Sequence, residues 1–106
     1  MARVLINAPK TARRGEVIEI KTLISHEMET GYRPGPTGSI VPRNIITGFV
    51  CSYNDDEVFR AELSPAIAAN PYLVFTTVAT ESGTLTLTWT GDHGFEQTEA
   101  VSLTVT

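Results

Sequence analysis

From Thr84 to Thr90 every second residue is a threonine, and the residues between them are Leu85, Leu87 and Trp89. A period of two marks a β-strand with one face in a core and one toward solvent, because successive side chains leave a strand on opposite sides. On a helix the same apolar set would be scattered around the circumference. This stretch therefore commits the chain to building a sheet, and the β-branched threonines suit the pleated surface. A second run, Glu16 to Ile24, alternates in the same way, with Ile18, Ile20 and Ile24 against Glu19 and Lys21, while Val17 and Leu23 blur its ends.

Further strands are read at Arg3 to Asn7, Ile45 to Tyr53, Val58 to Leu63, Tyr72 to Ala79 and Glu99 to Val105. Gly15, Asn54-Asp55-Asp56, Ser82-Gly83 and Gly91-Asp92-His93-Gly94 supply turn chemistry between them. No segment has a helical period, although Pro65 to Ala69 could make one short turn. With 106 residues, 42% of them apolar, the chain can bury one core and not two. Residues 1–106 are therefore expected to form one all-β domain, an immunoglobulin-like antiparallel sandwich of two sheets and about seven strands.

A net charge of −4, with Arg13-Arg14 the only adjacent basic pair, argues against nucleic acid as a partner. No apolar run approaches the ~20 residues of a membrane helix, so no membrane insertion is expected. The apolar run Val4 to Ile6 is far shorter than a signal-peptide core of ~7 to 15 residues. Cys51 is the sole cysteine, so no intrachain disulfide can form. By alternation Cys51 shares a strand face with Phe49 and Tyr53, which favours a buried structural thiol over a nucleophile activated by His26. His26, His93, Cys51 and the carboxylates stand at no zinc-ligand spacing, and no metal, cofactor or catalytic residue is expected.

Two features point to binding. About eighteen residues separate His26 from Ile45, and ordered loops beyond ~12 to 15 residues are uncommon without a task. The loop contains Pro34, Gly35, Pro36, Gly38 and Pro42; Met28 and Tyr32 are expected either to pack over the sandwich end or to join a recognition surface. The strand Ile45 to Tyr53 also reads as apolar on both faces, with Ile46 and Val50 opposite Phe49 and Cys51. A loop of the same chain or a partner must then cover its second face. The last strand, nearly uncharged, is read as an exposed edge open to strand addition.

The segments Leu23-Ile24-Ser25-His26-x-Met28-Glu29-x-Gly31-x-Arg33, Gly38-x-Ile40-Val41-Pro42-x-x-Ile45-Ile46 and Asn70-Pro71-Tyr72-x-x-Phe75 occur in that order. Together with Gly15-Glu16 and Thr88-Trp89 they resemble the SoxZ family of sulfur-oxidation proteins over nearly the whole chain. The resemblance implies a non-catalytic subunit of a SoxYZ heterodimer that carries sulfur in periplasmic thiosulfate oxidation. In that family the SoxY partner ends in a flexible Gly-Gly-Cys-Gly-Gly arm whose thiol bears the sulfur intermediates and visits the other Sox enzymes. This chain ends instead in Val101-Ser102-Leu103-Thr104-Val105-Thr106, a strand without a glycine hinge.

The resemblance further implies export together with a signal-bearing partner, whereas the N-terminus read alone suggests the cytoplasm. Where many family members carry an acidic residue after the position of Arg33, this chain has Pro34-Gly35-Pro36. The residues expected to meet partners are His26, Met28, Glu29, Arg33, Asn70 and Tyr72, with Arg33 suited to a sulfur-bearing anion or a partner carboxylate. Asn70-Pro71 is expected to fix a turn with Tyr72 packed behind it. Two other classes stay open, an immunoglobulin-like adhesion or structural module and a small thiol enzyme using Cys51.

Overall fold

A computed structural model describes residues 2–106. Eight strands follow in order: β1 (Val4–Asn7), β2 (Thr11–Ala12), β3 (Val17–Ile24), β4 (Ile46–Tyr53), β5 (Asp56–Glu62), β6 (Tyr72–Val78), β7 (Gly83–Gly91) and β8 (Glu96–Val105). They form a three-stranded sheet, β1-β3-β6, and a five-stranded sheet, β2-β8-β7-β4-β5. All pairings are antiparallel except the short β2–β8 contact, which is parallel and was not anticipated. Pro65 and Ala66 make a turn, closed by the Ile67 N–H donating to the Ser64 carbonyl at 3.0 Å.

The period-two runs decide which face is buried. Ile18, Ile20, Ile24 and Phe75 point inward from one sheet, and Phe49, Cys51, Leu85, Leu87, Trp89 and Leu103 from the other. The Phe49 ring lies 4.9 Å from Trp89 and 5.7 Å from Phe75, joining the two sheets through aromatic contact. Each such buried side chain contributes about 1.5–3 kcal/mol against the cost of ordering the backbone. Thr84, Thr86, Thr88 and Thr90 face outward, and Thr88 shares a hydroxyl hydrogen bond of 3.0 Å with Thr98 on β8.

One sequence expectation is overturned and another is narrowed. A β-bulge between Ile46 and Gly48 shifts the phase of β4, so Ile46 is buried in the core with Phe49 instead of lying opposite it. The outer face of β4 then carries only Val50 as a large apolar residue, half-buried between Thr88 and Arg60. β4 is therefore not a strand with two apolar faces. The last strand is an edge over most of its length, as expected, covered on its far side only at the end by the two-residue β2. It begins at Glu96 rather than Glu99, pairs with β7 along its length and meets β2 at Thr104 and Val105.

Tyr53 locks the end of the sandwich where β6 leaves the sheet. Its hydroxyl accepts the N–H groups of Thr80 and Glu81, both at 3.1 Å, and donates to the Glu81 carbonyl. Phenylalanine would fill the same space and leave two backbone donors without their acceptor. Tyr53→Phe is expected to lower unfolding free energy by about 1–3 kcal/mol, measured by urea denaturation, with unchanged far-ultraviolet circular dichroism.

Candidate functional site

Beyond β3 the chain leaves the sandwich and folds back on itself. Glu29 and Asn44 exchange backbone hydrogen bonds of 2.9 and 2.8 Å, and nearer the tip the Val41 N–H donates to the Arg33 carbonyl at 2.8 Å. Gly31 permits the narrow base: its φ is 88°, and a Cβ there would lie 2.9 Å from that of Arg43. The long segment is thus a self-paired arm.

Its return limb is clamped to the turn after β7. The Arg43 guanidinium donates twice to Asp92, at 2.8 Å each, and Asp92 Oδ2 also accepts the Ile45 N–H at 3.1 Å. His93 Nε2 lies 2.9 Å from the Arg43 carbonyl oxygen. The hydrogen bonds from Arg43 hold the Asp92 carboxyl below its ordinary range, with the Ile45 N–H acting in the same direction.

Of the expected contact residues, five gather at this end. His26 Nδ1 accepts the Met28 N–H at 3.0 Å, and its ring packs edge-on against Phe95 with centroids 5.1 Å apart. Met28 is buried, with φ 51°, and its sulfur accepts the Ile46 N–H at 3.3 Å. Met28 therefore plugs the sandwich end, whereas Tyr32 is 78% exposed. Glu29 already binds Arg33, with Arg33 Nη2 donating to Glu29 Oε1 at 2.6 Å, so one edge of the guanidinium fork is occupied. Asn70, at φ 56°, accepts the His26 N–H through Oδ1 at 3.0 Å and donates its own N–H to the His26 carbonyl at 2.8 Å. The Asn70-Pro71 turn is therefore fixed to the start of the arm.

Tyr72 departs from expectation. It does not pack behind the turn but stands 58% exposed on the outer face of the three-stranded sheet. Leu5, Val17, Val74 and Val78 share that face, at 59%, 63%, 44% and 45% exposure. Five of the eight exposed large apolar side chains among the described residues thus lie on one sheet face. The sequence carried the signal: Val17 and Leu23 stood out of phase at the ends of their run. In Tyr72 to Val78 both alternate sets are apolar or hydroxylated, and no residue is charged.

Cys51 lies wholly within the core, and burial pushes its thiol up to about 11. Neutral thiol is the wrong species for nucleophilic attack, so the pairing of Cys51 with His26 as nucleophile and base has no geometric or ionic basis. No group of three or more metal-ligating side chains occurs among the described residues. Among those residues no helix is long and apolar enough to cross a membrane.

The chain is thus a small all-β domain of the immunoglobulin-like sandwich class, with a braced arm and a cluster of exposed apolar side chains on the outer face of its smaller sheet. Residues 6–102 match the family described as sulphur oxidation protein SoxZ, and the chain belongs to that family. Among solved structures, the chain is similar to the superoxide reductase (neelaredoxin) from Ignicoccus hospitalis, at 13% identity and TM-score 0.73, over 99% of this chain and 82% of that one. The sulfur carrier protein SoxY from Chlorobium limicola f thiosulfatophilum matches at 13% identity and TM-score 0.68, over 97% and 78%. The CARDB domain of the PF1109 protein from Pyrococcus furiosus matches at 16% identity and TM-score 0.59, over 100% and 88%. No curated protein matches the chain. At these identities the structural likenesses describe the fold alone.

His26 couples the arm to pH. Burial depresses its protonation below the ordinary value of 6.5, against the opposing pull of Glu27 and Asp92. A group whose folded-state value is lowered stabilises the fold fully above its unfolded value and loses that contribution as pH falls toward the folded one. Protonated Nδ1 also cannot accept the Met28 N–H. His26 is expected to titrate below pH 6.5 by NMR. Amide exchange at Met28, corrected for intrinsic rates, should rise across the same interval; a midpoint above that value would contradict the assignment.

Proposed function

We propose that this chain is the non-catalytic subunit of a SoxYZ-type sulfur carrier in thiosulfate oxidation. Its task is to bind a SoxY-like protein whose C-terminal cysteine arm holds the sulfur intermediates. Membership of the SoxZ family over residues 6–102 is the observation that carries this reading. Physical support comes from the buried, protonated Cys51 and the apolar side chains exposed on one sheet face. A chain whose one thiol is sealed in the core is poorly suited to carry an adduct between enzymes, while a cluster of exposed apolar side chains around one ion pair suits a lasting protein contact.

In this reading the heterodimer works in the periplasm, reached by co-export with the signal-bearing partner. The braced arm then presents Glu29 and Arg33 to the other Sox enzymes in transient contacts. Glu29 and Arg33 form a neutral pair, so an approaching anion must compete with Glu29 for the guanidinium.

Co-expression of this chain with a SoxY-like protein is expected to yield a complex of one copy of each that survives affinity purification and gel filtration. Elution of the two as separate proteins at micromolar concentration would contradict the proposal. In the reconstituted pathway Cys51→Ala is expected to leave thiosulfate-dependent turnover within about twofold of the parent, since removing a buried thiol alters packing rather than chemistry.

A further inference from the structure

The strand edges of this sandwich are not equally protected. An edge strand offers unpaired N–H and C=O groups to any passing chain, and proteins guard such edges with charge, proline, bulges or brevity. Here β2 has two residues and β1 has four, followed by Pro9. β5 carries Asp56, Glu57, Arg60 and Glu62 and is bulged. The free side of β8 is flanked by Glu96 and Glu99, capped by β2 at one end and by Ala2 at the other, where Gln97 bonds both backbone groups of Ala2 at 3.0 and 2.8 Å. β6 has none of these devices. Its seven residues, Tyr-Leu-Val-Phe-Thr-Thr-Val, include no charge, no proline and no bulge.

Backbone direction shows which groups are on offer. The Ala79 N–H donates to Glu16, and the Pro71 carbonyl accepts from Ile24, so the odd-numbered residues face β3. By the alternation of an antiparallel ladder, Tyr72, Val74, Thr76 and Val78 turn their N–H and C=O groups to the open side. The side chains of the same four residues point to the outer face, beside Leu5 and Val17. A groove whose lining includes the apolar Val17, Val58 and Val78 and the carboxylates Asp56 and Glu81 runs along this edge.

Resting on the carrier-subunit reading above, we infer that the SoxY-like partner docks here, adding an edge strand of its own to β6 and covering the outer face of β1-β3-β6. Three observations choose this occupant. β6 itself carries no charge, so the strand it accepts must bring no unpaired charge against it. The exposed side chains of Leu5, Val17, Tyr72, Val74 and Val78, set around the already paired Glu19 and Lys21, supply apolar area toward the ~800 Å² per partner that a stable interface requires, and strand pairing adds to it. The SoxY structure shares this fold over 97% of the chain at TM-score 0.68, so a SoxY-like chain is a sandwich with strand edges of its own. The partner's strand then extends β1-β3-β6 into one sheet across the heterodimer.

The test uses Val74→Lys and Thr76→Pro. Both alter the open side of β6 and leave its pairing with β3 intact, so isolated variants should keep the parent's circular dichroism and cooperative unfolding. Ser102→Lys, on the outward face of β8, is the control. Calorimetric affinity for the SoxY-like partner is expected to fall by about 100-fold or more for Val74→Lys and Thr76→Pro, as for an unpaired buried charge or a lost ladder bond, and to hold for Ser102→Lys. The amides of Tyr72, Val74, Thr76 and Val78 should gain exchange protection only in the complex.

Full affinity of both β6 variants, or a complex in which those amides stay exchangeable, would overturn the docking site while leaving the carrier-subunit reading intact. Loss of affinity in Ser102→Lys alone would move the site to β8 and overturn it as well. A homodimer of this chain broken by Val74→Lys would assign the edge to a second copy and overturn the occupant. No binding by the parent chain would instead strike the functional reading on which the inference rests.

Discussion

The contact of Phe49 with Trp89 and Phe75 holds the architecture together, because it is where the two sheets meet through their largest side chains. Once those rings face one another, alternation leaves no choice for the rest: the threonines of β7 must face outward, and so must Glu19 and Lys21 of β3. That division leaves a hydroxylated outer face on the larger sheet and, on the smaller one, an outer face that sets the Glu19–Lys21 ion pair among Leu5, Val17, Tyr72, Val74 and Val78. The contrast follows from which residues share parity with the core, and it gives the molecule two unlike sides.

Strand placement was legible because period two is a local property. β3 and β7 emerge almost as the alternation of isoleucines and of leucine with threonine dictates. The two-residue strand β2 was not legible, since Thr11-Ala12 carries no periodicity of its own and is recruited by the end of β8. The apparent second apolar face of β4 failed for a different reason. A bulge near Ile46 changes parity, and such an extra residue is visible only when the partner strand is known.

The same logic of a strand apolar on both faces was sound but attached to the wrong strand. β6 satisfies it, with Leu73 and Phe75 turned inward and Tyr72, Val74 and Val78 outward. Which strands become edges depends on sheet order, and sheet order is a tertiary outcome that short-range patterns do not encode. The long loop stood out by its length, but its clamp through Arg43 and Asp92 joins residues forty-nine positions apart. Asn70 was foreseen as a turn residue; its bonds to His26 extend that role to anchoring the arm.

The only thiol, Cys51, is withdrawn into the core, which suits the proposed role in recognition better than one in sulfur transfer. The most direct measurement is intact-protein mass spectrometry of the co-purified pair after turnover with isotopically labelled thiosulfate. The account requires every sulfur adduct to be found on the SoxY-like chain and the mass of this chain to stay unchanged. A labelled adduct on Cys51 under native conditions would contradict it.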